Sequence, residues 1–301
     1  MTKLAIDGGN RTRTNPWPTW PIYDTLEEQA LLETLHSGNW WSVEGKKVAE
    51  FEAKFSAFMG AEHGTCVTNG SAAIEVALRA LGIGCGDEVL VPPYTFVATA
   101  SSVLAMGATP IFVDVEPGSL NIDPNRLEEA ITPRTKAIIP VHIGGRPADM
   151  DGVLKVANKR GLAVLEDAAQ AHGAEWNGRR VGALGDCGTF SFQASKNLNS
   201  GEGGIVLSND KALADNIWSV ANVGRRREGV WYEHATLGSN YRLTEFQAAI
   251  LLAQMTRLPG QIARRSVAAA ALNEMLTQIP GIQTLATDPR VTVNAWHLYC
   301  F

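Results

Sequence analysis

Three short segments carry the residues whose types and spacing point to chemistry. The segment TFSFQASKNL (residues 189–198) leads from an apolar β-type stretch to Lys196, and Gly201-Glu202-Gly203-Gly204 follows. A lysine between a strand and a glycine-rich turn can be desolvated, which lowers its pKa and frees the amine to form a Schiff base with a carbonyl. Taken alone, a lysine is more often a solvated surface charge. Ser191 and Ser195 add hydroxyls within reach of a phosphate. The segment VLEDAAQAHG (residues 164–173) delivers an acid at the end of an apolar strand, where ligands of open α/β sheets bind. A carboxylate there either keeps a pyridine nitrogen protonated, making the ring an electron sink, or caps a nearby turn. Glu166 and Asp167 point to opposite faces of a strand, so only one of them can serve a ligand. The segment TNGSAA (residues 68–73) is a strand end, a small-residue turn and a helix start. Such an N-terminus offers free N–H groups and a favourable dipole to a phosphate, or is an ordinary Asn/Ser cap. In this order the three segments provide the amine, the acid and the phosphate turn that a phosphorylated aldehyde cofactor requires.

The elements that must position them alternate. Apolar strands are expected at residues 65–68, 88–91, 110–115, 136–142, 162–167, 188–193 and 204–208. Helical patterns lie between them at 71–81, 95–106, 124–131 and 149–160. Buried Val/Ile-rich strands separated by helices imply a mostly parallel sheet of seven strands, covered on both faces. The short link between the last two strands suggests an antiparallel member. After residue 210 the pattern turns helical, at 211–223, 244–256 and 258–278, with Pro280-Gly281 as the stop. The terminal AWHLYCF reads as the start of a strand. We therefore expect a large α/β domain over residues 1–250 and the beginning of a smaller α/β domain, truncated, over 251–301.

Composition excludes several functions. The 301 residues are 45% hydrophobic and 19% charged with net charge −5, which gives no electrostatic reason to bind nucleic acid or an anionic membrane. The first fourteen residues lack the apolar run of a signal peptide, and no apolar stretch approaches the ~20 residues of a membrane span. The four cysteines are scattered without a CxxC pair, consistent with reduced thiols and a cytoplasmic location. Gly82-x-Gly84-x-Gly86 follows a helix and precedes a strand, the reverse of a dinucleotide fingerprint. No histidine spacing suits a metal, so no metal is expected.

The blocks TNGSAAIEVAL, VPPYTFVATA, VHIGGRPADMD, LEDAAQAHGA, FSFQASKNLNSGEGG and SNYRLTEFQAA resemble the DegT/StrS-type aminotransferases, a fold-type-I pyridoxal-phosphate family. The similarity runs from about residue 5 to the end. It implies pyridoxal 5′-phosphate as cofactor, Lys196 as the Schiff-base lysine and Asp167 as partner of the pyridine nitrogen. By the same resemblance Gln170 lies beside the phenolic oxygen, Gly70, Ser71 and Ser191 hold the phosphate, and Phe96 stacks on the ring. Asn240 would reach the phosphate of a neighbouring subunit, making the active site a property of a homodimer, with Arg242 a weaker candidate at that interface.

The implied activity is transfer of an amino group from glutamine or glutamate to a keto-sugar or keto-cyclitol. The N-terminal motifs look closest to 3-amino-5-hydroxybenzoate synthases and aminocyclitol aminotransferases. Two rivals stand beside it: a dehydration with aromatisation on the same cofactor, and a non-catalytic regulatory homologue. Trp40, Trp41, Trp231, Tyr232 and His234 are candidates either for an acceptor pocket or for packing.

Overall fold

Residues 3–301 are described by a computed structural model. Two helices precede the sheet: α1 (Thr25–Ser37) and α2 (Lys47–Met59). Then come β1 (His63–Val67), α3 (Gly70–Ala80), β2 (Glu88–Val91), α4 (Ala98–Ala105), β3 (Thr109–Phe112), α5 (Leu127–Ala130), β4 (Thr135–Ile138), α6 (Met150–Arg160) and β5 (Ala163–Asp167). The chain continues through β6 (Glu175–Trp176), β7 (Arg179–Arg180), β8 (Cys187–Ser191), β9 (Gly204–Ser208), α7 (Lys211–Ala221), α8 (Glu245–Met255), α9 (Leu258–Leu276) and β10 (Val291–Val293).

The main sheet has seven strands in the order β1-β9-β8-β5-β4-β2-β3. Pairing is parallel from β8 to β3, and β9 runs antiparallel between β8 and β1. Alternation along each strand sends side chains to two separate cores. Phe190, Phe192, Ile205, Leu207 and Leu90 face the side covered by α2, α6 and α8. Val89, Val91, Leu165 and Val206 face the side covered by α3 and α7. Because both faces are buried, these strands read as continuous apolar runs.

Each strand expected from the sequence is present: 88–91 and 204–208 match at both ends, and the ends of the others differ by up to four residues. The expected helices are present too, and their caps explain where they start. Asn69 accepts from Ala72 N–H at 2.8 Å at the head of α3, and Thr244 with Gln247 forms a reciprocal capping box at the head of α8. Three features were not expected: α1, α2, and a second small sheet in the order β10-β6-β7. AWHLYCF is not a strand. β10 ends at Val293, and the following residues are irregular, tied to a turn beside the cavity described below. Residue 250 lies within α8, so a domain boundary there would cut a helix. Among the described residues no helix is long and apolar enough to cross a membrane.

α2 is bound to the rest by an aromatic cluster. Phe55 is fully buried, with ring centroids 5.1 Å from Phe190, 5.4 Å from Phe192 and 5.5 Å from Phe51. The Glu245 carboxylate, at the start of α8, accepts from the Lys47 and Val48 N–H groups at 2.7 and 3.0 Å and so caps α2 across the interface. Phe55→Ala leaves a ring-sized void between α2 and the sheet, and denaturant titration is expected to show a loss of about 3–5 kcal/mol. A loss below 1 kcal/mol would mean that α2 is not part of the cooperative core.

Candidate active site

The carboxyl ends of β1, β5 and β8 open together on a cavity of about 710 Å³. Seven of the eight residues singled out from the sequence line it: Gly70, Ser71, Phe96, Asp167, Gln170, Ser191 and Lys196. Asn240 does not. Its side chain is exposed, and its backbone bridges to Asn222 at the edge of the 222–243 loop.

The turn after β1 meets the end of β8 at very close range. A Cβ placed on Gly70 would lie 2.7 Å from the Ser191 Cβ, so only glycine fits unless the backbone shifts. The side chain of Asn69 occupies the Ala72 N–H. Gly70 and Ser71 precede it in the first turn, which has no intrahelical acceptors, so their N–H groups belong to the cavity. The Ser191 hydroxyl lies across from them and accepts from Gln193 N–H at 3.3 Å.

At the end of β5 the two acids part. Glu166 is fully buried and turned away from the cavity. It accepts from His142 Nε2 at 3.0 Å and from the N–H groups of Gly182, Leu184 and Gly185 at 2.6–2.8 Å. His142 Nδ1 accepts from Ala148 N–H, which fixes the proton on Nε2. Burial alone would raise the Glu166 carboxyl, but His142 and these N–H groups outweigh it and hold it below the usual range. Glu166 is thus a structural anion that pins the 182–185 loop under the sheet. Asp167 faces the cavity instead. Thr99 donates to its Oδ2 at 2.7 Å, and Ala169 N–H to its Oδ1 at 3.2 Å. Thr99 is itself fully buried and shares a 2.7 Å hydrogen bond with Thr95. Sequence reading missed Thr99, although Thr95 and Thr99 stand one helical turn apart in the VPPYTFVATA block.

Lys196 lies in the turn beyond β8, its N–H bonded to the Gln193 carbonyl at 2.8 Å. Burial pushes its amine below the ordinary value of 10.5, against the opposing pull of Asp167. Gln170 is anchored by Gly144, whose N–H donates to its Oε1 at 2.7 Å, leaving the amide N–H groups to the cavity. Further polar residues line the site that sequence reading did not single out, Thr95, Gln193, Glu202 and His297. His297 reaches it through the terminal segment, a tertiary placement that nothing local in AWHLYCF signals.

The five aromatic pocket candidates do not line the cavity of their own chain. Trp41 and Trp231 pack edge to face at 5.7 Å, with Arg225 over Trp231 and Arg242 over Trp41. His234 Nδ1 donates to the Val223 carbonyl at 2.7 Å. Arg242 donates to Asn222 Oδ1 at 2.7 Å.

The family described as DegT/DnrJ/EryC1/StrS aminotransferases matches residues 22–301. L-glutamine:2-deoxy-scyllo-inosose aminotransferase of Micromonospora echinospora is 42% identical over 313 residues, covering 99% of this chain and 74% of that protein. A crystal structure of 3-amino-5-hydroxybenzoic acid synthase superposes with a TM-score of 0.91 at 41% identity, covering 93% of this chain and 74% of the other. DesV of S. venezuelae, solved in complex with a ketimine intermediate, gives 0.86 at 42% identity over 91% and 72%.

Behind Lys196, His172 is fully buried among Phe55, Phe190 and Phe192, and its Nε2 donates to the Ser191 carbonyl at 3.0 Å. Burial, then the Lys196 charge, pushes its pKa from 6.5 down to about 3. Between those values the unfolded chain binds a proton that the folded chain refuses. Stability should therefore fall as pH drops from 6.5 toward 3, by up to ~1.4 kcal/mol per pH unit from this residue. In His172→Phe, urea unfolding measured at several pH values should show a slope shallower by about one proton. An unchanged slope would mean that His172 is not buried neutral.

Proposed function

Because the chain belongs to the DegT/DnrJ/EryC1/StrS aminotransferase family, we propose that it transfers an amino group from glutamine or glutamate to a keto-sugar or keto-cyclitol, using pyridoxal 5′-phosphate held in the 710 Å³ cavity. The observation that carries this reading is the convergence of a desolvated lysine amine, a strand-end carboxylate and an open helix N-terminus on one cavity. The residues present fit the cofactor. The absent Cβ of Gly70 keeps the N–H groups of Gly70 and Ser71 open to a phosphate, with the Ser191 hydroxyl opposite. When bound, pyridoxal phosphate supplies an aldehyde carbon for the amino group and a protonated ring that withdraws electrons.

This chain's residues do the rest. Lys196 Nζ would hold the cofactor through its aldehyde and, when free, would serve as the base that takes and returns the proton at the reacting carbon. Burial disfavours its ammonium form, so more of the amine is neutral than in a solvated lysine at the same pH. Asp167, oriented by Thr99 and the Ala169 N–H, holds the positive charge on the ring nitrogen. Phe96 would cover the ring face and the Gln170 amide would donate to the phenolic oxygen. Asn240, exposed and away from its own cavity, reaches the phosphate in a partner subunit, so two chains share each site. We place the start of a smaller second unit after α8 rather than within it. Four free thiols, two of them buried, support a cytoplasmic setting.

A second reading, dehydration with aromatisation, is favoured by the similarity to 3-amino-5-hydroxybenzoic acid synthase. Product mass separates the two, since dehydration removes water and transamination exchanges oxygen for nitrogen.

The deciding measurement is the visible spectrum of the protein with pyridoxal phosphate, before and after L-glutamine. A yellow band that bleaches with glutamine and returns with a keto-cyclitol is expected. A protein that stays colourless in excess cofactor would overturn the reading. Lys196→Ala is expected to lower turnover by at least about 10²–10⁴-fold. Borohydride reduction should attach the cofactor to Lys196 in the wild-type chain. The pH midpoint of that capture should lie below 10.5, because burial disfavours the ammonium form. A midpoint at or above 10.5 would show the amine to be solvated.

A further inference from the structure

His297 is a polar group of the cavity to which the cofactor reading gives no work. Its position is built by the parts that hold Lys196 and Gln170. Gly145, at φ 91°, packs against the segment so closely that a Cβ there would lie 3.0 Å from the N atoms of both Trp296 and His297. Ala295 N–H donates to the Gly145 carbonyl at 3.0 Å, and Leu298 N–H to the Gly144 carbonyl at 3.1 Å. The same Gly144 donates to Gln170. Asn197, the residue after Lys196, donates to the Ala295 carbonyl at 2.7 Å, and Arg265 to the Trp296 carbonyl at 2.9 Å. The backbone on either side of His297 is thus held from three directions at the cavity wall.

Burial, then the charges of Lys196 and Arg265, pushes its pKa to about 4, so the ring is neutral at physiological pH. Nδ1 is buried without a hydrogen-bond partner among the described residues, which leaves Nε2 as the nitrogen that meets the cavity. A neutral imidazole presents there either one donor or one acceptor, according to tautomer. A carboxylate or phosphate only accepts, and an ammonium only donates. A hydroxyl does both, and so pairs with either tautomer.

We propose that His297 is a specificity-determining residue that hydrogen-bonds a ring hydroxyl of the keto acceptor. This rests on the aminotransferase reading above and names a substrate contact of the same site.

The test uses the cofactor-loaded protein and scyllo-inositol, a hydroxylated ring without a ketone, titrated by calorimetry. His297→Phe keeps a ring and removes both nitrogens, and His297→Gln restores one amide. The wild-type chain is expected to bind, His297→Phe to bind about tenfold more weakly, and His297→Gln to recover part of the loss. In stopped-flow spectra of the two half-reactions, the His297→Phe defect with a keto-inositol should exceed that with L-glutamine by about tenfold. Equal binding by wild type and His297→Phe, no binding by wild type, or equal defects in both half-reactions would each overturn the proposal. Failure of the aminotransferase reading itself looks different, because wild-type spectra would then not respond to glutamine at all.

Discussion

The cavity exists because the backbone after β1 and the end of β8 come closer than any side chain allows. β9 runs antiparallel between them, and its first residue, Gly204, pairs with Val67 on one side and Ser191 on the other. A Cβ on Gly204 would lie 2.5 Å from the Asn69 carbonyl oxygen, as one on Gly70 would lie 2.7 Å from the Ser191 Cβ. Two missing side chains therefore set the distance between the helix N-terminus and the strand that leads to Lys196. Widening that gap would separate the anion-binding turn from the amine, whatever the quality of either alone. The antiparallel strand, which breaks the rhythm of a parallel sheet, is the device that makes this approach possible.

That dependence explains what the sequence revealed and what it hid. Gly70, Ser71, Asp167, Ser191 and Lys196 were legible from local signatures at strand ends (small residues opening a helix, an acid after an apolar run, a serine and a lysine before glycines), whereas Phe96 and Gln170 were named only through the family resemblance. Strand positions were legible because burial on both faces leaves long Val/Ile-rich runs. The choice between Glu166 and Asp167 was only half legible. Alternation dictates that they part, but a fold was needed to show Glu166 holding the 182–185 loop. Thr99 and His297 were hidden, since their placement depends on contacts across 68 and about a hundred positions of chain, respectively. Helix α1 was hidden for a different reason, because its large apolar residues Leu26, Leu32 and Leu35 remain exposed and give no one-sided pattern.

The electrostatics of the site follow from burial more than from pairing. Lys196, His172 and His297 are all displaced toward their neutral forms, and desolvation is the leading cause for each. The cationic forms also disfavour one another, so protonating one group raises the cost of protonating the next. A ligand entering such a cavity meets neutral donors and acceptors near Lys196, with formal negative charge supplied by Asp167 and by Glu202. On the proposed reading an anionic phosphate would be accommodated at the far turn by N–H groups and hydroxyls rather than by a cation from the same chain. This is where a residue from a second copy would matter most, and Asn240 is exposed on a loop away from its own cavity.

The Gly144–Gly145 turn joins the two functions of the site. One face of it orients Gln170, and the other carries the segment that bears His297. The positive φ of both glycines, 64° and 91°, lets successive backbone groups point to these different partners, a geometry that a residue with a side chain adopts only under strain. A shift of the terminal segment must therefore pass through the same few backbone atoms that set the Gln170 amide. Under the roles proposed for His297 and Gln170, acceptor recognition and cofactor alignment would be mechanically linked through this turn. A change at Gly144 or Gly145 would disturb both, whereas a change confined to the His297 ring leaves the turn, and with it Gln170, in place.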